Sequence, residues 1–380
     1  MFKVKPPFFQ RRKIKFLIFA FTIVILLSLI FYSLNFFTAS AEFFANNMTS
    51  GSDDASYYSE SVFAVQRHSI LHIDRFLIDV YDYSGHAIGY PLFLFFVFSF
   101  YPSLHFGVFL NILFYSFAVI LCVFSNKFSR EENFYSRVAL FIVLTPGILL
   151  TSLHLFKDAL LFLLTIYSIF CMQNGFLKRG IFFALLTHIF RPYNFLIILL
   201  PYVVIKYPRV SLFFVVSIIS SYVAGLGFAT ETVDSIVQAI TFSQTIAVRD
   251  LESISSSFTP SESLFVNFVL GLIRFLLLPL PWIYSPGNVE PVFYFMIYIQ
   301  SLIIWSGLIA AFFYKNFFID FLMRNRLLFA YTLLHASTYS VLYFGNANFR
   351  YRVFLFAIVA MFLTELLFSS RPRTLAFKRR

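Results

Sequence analysis

Long apolar segments separated by short polar ones dominate this chain. Runs with no charge or almost none cover residues 16–37, 104–125, 138–156, 159–177, 211–229, 292–314, 327–344 and 353–369. Each run approaches the length of about 17–25 residues that crosses a bilayer as a helix. The pattern therefore predicts an all-α chain whose helices pass through a membrane.

Three further apolar stretches are interrupted by charged or helix-breaking residues: 87–101, 180–205 and 265–283. Proline stops a helix and arginine avoids lipid, so we expect the second stretch to form two half-length helices that meet at Arg191 and Pro192. The first and third are expected to lie on, or dip into, one leaflet. Together with the uninterrupted runs they predict a polytopic transmembrane helical protein of about 8–12 spans.

The composition excludes a water-soluble fold. Hydrophobic residues make up 59% of the chain and charged residues 12%, against about 45–50% and about 25% in soluble domains. The two cysteines, Cys122 and Cys171, lie in apolar runs, which excludes a disulfide framework and a CxxC metal site. P-loop and HExxH motifs are missing from the sequence, which disfavours nucleotide-driven pumping and zinc chemistry. The sequence requires no cofactor, and it leaves open whether a divalent cation is needed.

The net charge of +11 is explained by topology rather than by a nucleic-acid partner. If the basic tail 1–15 lies in the cytoplasm and the spans alternate, 21 of the 29 lysines and arginines fall on the cytoplasmic side, including those of the basic tail 370–380. Of the 18 acidic residues, 14 fall on the other side. This asymmetry follows the positive-inside rule and predicts that both termini are cytoplasmic.

The domain organisation follows from the same map. We expect one integral membrane domain over residues 1–380, with a first extracytoplasmic loop at 38–103 and a second long extracytoplasmic segment at 230–291. These two segments form an extracytoplasmic roof of amphipathic helices and loops. The run 16–37 precedes the small residues 39–41 (ASA), which are typical of a cleavage site. Its length exceeds that of a cleaved signal, so we interpret it as a retained anchor.

Charged residues on the extracytoplasmic side are the candidate functional groups, because charges at membrane depth are costly and usually have a task. They are Asp53, Asp54, Lys157, Asp158, Arg191, Arg274, Arg350 and Arg352. They come from separate outer segments, yet the topology places them all at one membrane face. Arginine binds phosphate through a bidentate fork and lysine as a point charge, whereas a carboxylate can act as a base. This set of charged residues is therefore suited to binding a phosphate-bearing lipid and to a reaction that needs a base.

Several short motifs resemble the bacterial, polyprenyl-phosphate-sugar-dependent members of the GT-C superfamily of polytopic membrane glycosyltransferases. They are GSDDASYY at 51–58, HAIGYP at 86–91, Lys157-Asp158, FRP at 190–192, PLPW at 279–282 and FRYR at 349–352. The resemblance covers roughly residues 16–369 in order and topology. Val353 departs from it, because members usually carry proline or leucine there.

The resemblance implies transfer of a sugar from a polyprenyl-phosphate-linked donor to a surface glycan or lipid, at the outer face of the bacterial cytoplasmic membrane. Asp53 or Asp54 would be the catalytic base, and Asp53, which directly follows Gly51 and Ser52, is favoured. Substrate and lipid-phosphate binding would fall to Lys157, Asp158, Arg191, Arg274, Arg350 and Arg352. The partners would be the donor, the acceptor and membrane lipids.

Other interpretations stay open for the function and for each group. A repeat-unit polymerase of O-antigen or capsule would use similar outer-face arginines, and a lipid-linked oligosaccharide flippase is the non-enzymatic alternative. Structurally, the Asp53 and Asp54 pair could cap a helix, and Lys157 and Asp158 could form a local ion pair. The arginines could mark a kink, extend to the lipid headgroups or anchor the orientation of the chain in the membrane.

His68 and His72 have metal-binding spacing without a convincing third ligand, so no metal site is predicted.

Overall fold

The structure is a computed structural model. It describes residues 89–125, 134–153, 157–191, 193–223, 264–277, 291–343 and 349–368, with a few helical positions at 18, 21–26, 28, 29, 61, 62, 65–67 and 238. All regular structure in these residues is helical, which confirms the all-α prediction for the described part of the chain. The predicted number of spans, 8–12, is not established by these helices and stays a prediction.

Thirteen α-helices and one short 3₁₀ helix are described. They are α1 Gly89–Phe100, α2 Leu104–Ser125, α3 Phe134–Val143, α4 Pro146–Ser152, α5 Asp158–Gln173, α6 Leu177–Phe190, α7 Asn194–Lys206, α8 Pro208–Val223, α9 Leu264–Leu277, α10 Pro291–Phe313, α11 Lys315–Arg324, α12 Arg326–Tyr343, the 3₁₀ helix Phe349–Arg352 and α13 Val353–Phe368. Pro146, Pro208 and Pro291 each begin a helix. Proline suits this first position because its missing N–H would have no helical partner there.

Two of the described helices, α2 and α10, are long and apolar enough to cross a membrane, over Phe106–Val123 and Phe295–Phe313. The pair α3 and α4 would be a third such segment if its two halves are taken together, but they are bent by 78°. The sequence predicted an uninterrupted run over 138–156. The run breaks because Pro146 disfavours helical geometry at Thr145, which has ψ of 46°.

The break predicted inside 180–205 is confirmed. Helix α6 ends at Phe190, Arg191 adopts an extended conformation, and α7 begins at Asn194 and packs against α6. The preceding turn, between α5 and α6, depends on Gly175, whose φ of +85° is a conformation that side chains rarely allow. There the Phe176 N–H donates to the carbonyl of Cys171, so this carbonyl in the last turn of α5 has a hydrogen-bond donor.

Helix α13 lies at the centre of the described bundle. It is buried along almost its whole length and contacts α2, α3, α4, α10, α11 and α12. The aromatic side chain of Phe362 packs against three phenylalanines of α11: Phe317, Phe318 and Phe321. Helix α11 was not predicted from the sequence, because residues 315–326 lie between two of the apolar runs. It forms because its phenylalanines recur on the face that meets α13.

Candidate functional site

A buried ion pair joins the start of α5 to the end of α6. Asp158 lies in the first turn of α5, where the positive end of the helix dipole favours a carboxylate. Nη2 of Arg191 lies 3.2 Å from Oδ1 of Asp158, and both side chains are buried. Asp158 therefore pairs across the bundle with Arg191. The local pair with Lys157 stays an open alternative.

Two tyrosine rings complete the surroundings of Arg191. Its guanidinium carbon lies 5.9 Å from the ring centroid of Tyr339 and 5.7 Å from that of Tyr351, within the range of cation–π attraction. The two rings stack on each other with centroids 4.4 Å apart. Arg191 is thus held by a carboxylate and by aromatic faces at the same time, which fixes its position in the bundle.

His335 links α12 to the short helix that contains the FRYR motif. Its Nε2 lies 3.1 Å from the main-chain oxygen of Tyr351, an acceptor, so Nε2 carries the proton and donates. The ring also stacks on Tyr331 and packs at a tilt against Tyr339. These contacts give His335 a packing and hydrogen-bonding role in the bundle.

A chain of polar contacts continues from this cluster into α7. The Tyr331 hydroxyl donates to Oδ1 of Asn194 over 2.9 Å, and Nδ2 of Asn194 donates to Oγ1 of Thr165 over 3.1 Å. All three side chains are buried. Because buried polar groups are costly unless paired, these bonds fix α5, α7 and α12 in one arrangement around Arg191.

Arg352 is the largest fully buried side chain among the described residues, and it joins the 3₁₀ helix to α9. Its Nη2 donates to the main-chain oxygen of Arg274 over 3.1 Å, and its guanidinium lies 5.4 Å from the Phe275 ring centroid. Burial, and secondly the positive charge of Arg274, lowers the pKa of Arg352 to about 9, which leaves the side chain protonated at neutral pH. Phe275 in turn stacks on Tyr339, at 6.3 Å between centroids. The surroundings of Arg191 and Arg352 are therefore continuous.

The structure brings five of the eight predicted site residues into one region. Lys157, Asp158, Arg191, Arg274 and Arg352 lie around the contacts described above, and of these Lys157 and Arg274 are only partly buried. Arg350 lies in the 3₁₀ helix Phe349–Arg352. Asp53 and Asp54 lie outside the described residues, so their placement relative to this region stays a prediction. The binding roles of all eight residues also stay predictions.

A second charged cluster lies near the opposite end of α13. Glu365 is buried, forms an ion pair with Arg324 of α11, and lies close enough to Arg137 of α3 to interact electrostatically. The Arg137 guanidinium also lies 5.7 Å from the Phe368 ring centroid. Arg352 and Glu365 are separated by about 20 Å along the helix, at about 1.5 Å per residue. The apolar length of α13 is thus bounded by charged clusters at both ends.

Neither the aromatic part of the site nor the second charged cluster was predicted from the sequence. Tyr331, His335 and Tyr339 recur every four residues, so they form one stripe of α12, and this spacing is readable from the sequence. Glu365 lies within an apolar run, where an acidic residue needs a partner. Its pairing with Arg137 and Arg324 depends on how α3, α11 and α13 pack, which no local pattern gives.

The geometry describes a positively charged region with one paired carboxylate and a set of aromatic faces. The partly exposed Lys157 and Arg274 can bind an anionic group, whereas Tyr331 and Tyr339 are buried against His335 and Arg191. Neither a protein family model, nor a curated protein, nor a solved structure matches the chain. Clusters of three or more residues able to hold a metal ion are not found among the described residues.

Proposed function

We propose that the chain is a membrane glycosyltransferase of the GT-C type. It would move a sugar from a polyprenyl-phosphate-linked donor to a glycan or lipid acceptor, at the outer face of a bacterial cytoplasmic membrane. The observation that carries the proposal is the convergence of four basic residues, Lys157, Arg191, Arg274 and Arg352, from separate segments around one aromatic cluster. The sequence map assigns all four segments to the same side of the membrane.

The reaction needs a base and a group that stabilises the leaving phosphate. The acceptor hydroxyl attacks the anomeric carbon of the donor sugar, the bond from that carbon to the phosphate oxygen breaks, and the hydroxyl proton goes to Asp53 or Asp54. Negative charge then develops on the lipid phosphate, and arginine or lysine stabilises it without further reorganisation. Polyprenyl phosphate leaves as the second product.

The differing burial of the basic residues suggests different tasks for them. Lys157 and Arg274 are partly exposed, so they are the groups that a lipid phosphate would meet first. Arg191 is already paired with Asp158, and Arg352, which is 0% exposed, holds the main chain of Arg274. In this proposal Arg352 positions α9, and direct contact between its guanidinium and a phosphate would require neighbouring side chains to move.

The decisive experiment measures the donor in cells. Deletion of the gene should cause a polyprenyl-phosphate-linked sugar to accumulate, as seen by mass spectrometry of extracted lipids. The native gene should reverse the accumulation, and a Lys157→Gln/Arg274→Gln double variant present at the same level in membranes should not. A Lys206→Gln/Arg209→Gln double variant is the matched control, because it removes two exposed positive charges at the junction of α7 and α8.

Each alternative function gives a different result in the same experiment. Accumulation of single repeat units linked to lipid pyrophosphate would point to a repeat-unit polymerase. Accumulation of a complete oligosaccharide on its lipid, restricted to the cytoplasmic face, would point to a flippase. An unchanged lipid profile in the deletion strain would refute the glycosyltransferase proposal.

A further inference from the structure

Helix α11 begins where a membrane-length segment ends. The apolar segment Phe295–Phe313 of α10 is long enough to cross a bilayer, and α11 starts two residues later at Lys315. With 10 residues, α11 is about 15 Å long, half of the hydrocarbon thickness, so it cannot cross. The sequence map puts residues 315–326 between two spans, so α11 is expected at the membrane boundary where α10 emerges.

The two faces of α11 have different surroundings. Phe317, Phe318 and Phe321 pack on Phe362 of α13, as described above. On the other face, Ile319 is 54% exposed and Met323 is 65% exposed. These two residues are four positions apart, so they form one stripe along the helix. The stripe is apolar but does not pack against the described bundle.

Exposed apolar and basic residues extend this stripe at both ends. Phe312, at the end of α10, is 79% exposed. Lys315 at the start of α11 and Arg326 at the start of α12 are also exposed, and they lie on either side of Ile319 and Met323 in the sequence. The third basic residue of this segment, Arg324, pairs with Glu365. Lys315 and Arg326 thus border the apolar stripe, and Asp320 is the single exposed acidic residue within α11.

We propose that this stripe, formed by Phe312, Lys315, Ile319, Met323 and Arg326, binds an anionic phospholipid of the bilayer. An apolar centre bordered by basic residues matches the boundary between acyl chains and headgroups. Ile319 and Met323 contact the upper acyl chains, and Lys315 and Arg326 contact lipid phosphates. A basic side chain near an anionic membrane surface contributes about fivefold in local binding, about 1 kcal/mol. The proposal is independent of the glycosyltransferase function.

Trp305 provides a local probe for this lipid. It lies on α10 seven residues, or about two turns, before Phe312, and therefore on the same side of that helix. The chain holds 2 tryptophans, so Trp282→Phe leaves Trp305 as the single tryptophan, whose emission is recorded. The purified full chain with this change is placed in phosphatidylcholine nanodiscs that contain a minor fraction of brominated phosphatidylglycerol or brominated phosphatidylcholine. Bromine quenches the fluorescence of a nearby indole.

The expected result is several-fold stronger quenching by brominated phosphatidylglycerol than by brominated phosphatidylcholine. In the same background, Lys315→Gln/Arg326→Gln should reduce the difference to near zero. The control Lys206→Gln/Arg209→Gln removes the same charge elsewhere and should keep the preference. Equal quenching by the two lipids in the parent, or an equal loss of preference in both double variants, would overturn the proposal.

A second copy of the chain is the competing occupant of the stripe. Ile319→Cys chains should remain monomeric when membranes are oxidised, because lipid covers this position. The two native cysteines are buried and do not compete for the cross-link. A disulfide-linked dimer through position 319, together with weak quenching by both lipids, would assign the stripe to a protein interface and contradict the lipid assignment.

Discussion

Gly271 of α9 and Ser340 of α12 bring their two helices into direct main-chain contact. A Cβ atom added at Gly271 would lie 2.5 Å from the Ser340 carbonyl oxygen, closer than real Cβ atoms approach. Three residues further along α9 is Arg274, whose carbonyl accepts the hydrogen bond from Arg352. The close helix approach at Gly271 therefore sets the position of Arg274 in the site.

Substitution of Gly271 should disturb both stability and function. Gly271→Ala forces α9 and α12 apart, because the nearest atoms belong to the main chain and cannot rotate away; overpacking of this kind costs about 1–3 kcal/mol. The measurement is the thermal unfolding midpoint of the solubilised protein together with transfer activity. Ile273→Ala, at a position on the same helix that is 47% exposed, is the control and should change little. An unaffected midpoint in Gly271→Ala would contradict the close packing.

The ion pair between Asp158 and Arg191 predicts an asymmetric double-mutant cycle. Arg191→Ala leaves a buried carboxylate without its cation and should cost about 3–5 kcal/mol of stability. Asp158→Asn combined with Arg191→Ala removes the stranded charge, so the double variant should be more stable than Arg191→Ala alone. Thermal unfolding of all four proteins gives the coupling energy. Simple additivity of the two changes would show that the pair does not interact.

The cluster at the other end of α13 gives an independent stability prediction. Glu365→Ala removes the only carboxylate described between Arg137 and Arg324, so two positive charges remain in a largely buried place. The expected cost is about 3–5 kcal/mol, measured as a lower unfolding midpoint. Asp320→Ala, an exposed acidic residue of α11, is the matched control and should leave the midpoint nearly unchanged. Equal effects of the two changes would refute a structural role for Glu365.

The catalytic base can be separated from a helix cap by changing charge without changing shape. One of the two variants, Asp53→Asn or Asp54→Asn, removes the base and should slow sugar transfer by about 10²–10⁴-fold. Loss of a cap alone would cost about 0.5–2 kcal/mol of stability and leave turnover largely intact. Both variants are assayed in membranes at matched amounts. Near-normal turnover in both would remove the carboxylates from the mechanism.

The orientation of the chain is tested by labelling single cysteines from outside intact cells. The distribution of basic residues predicts that 38–103 is extracytoplasmic and that both termini are cytoplasmic. Ser59→Cys should therefore react with a membrane-impermeant thiol reagent, and Ser370→Cys should react only after the cells are opened. Reaction of the Ser370→Cys protein in intact cells would show that the C-terminus is extracytoplasmic and would contradict the predicted orientation.

Local signals in the sequence indicated most of the helices, with α11 as an exception, but not the contacts between them. Pro192 marks the break between α6 and α7 because proline acts on its own neighbours. The partner of Asp158 could not be read in this way. Lys157 is adjacent in sequence, but Arg191 is brought to Asp158 by the packing of α6 against α5. Likewise, nothing near Glu365 in the sequence indicates Arg137 or Arg324, which come from helices far away along the chain.

The central position of α13 has a consequence for how the protein is made. The ribosome synthesises residues 353–368 after all the other described helices, yet these residues fill the middle of the bundle they form. Until α13 enters the membrane, the helices that surround it lack the partner against which they pack. Final assembly must therefore wait for late translation, and the earlier helices must persist side by side around an unfilled centre. Chaperones or insertases that hold membrane segments during synthesis would have to hold these earlier helices until α13 has been made.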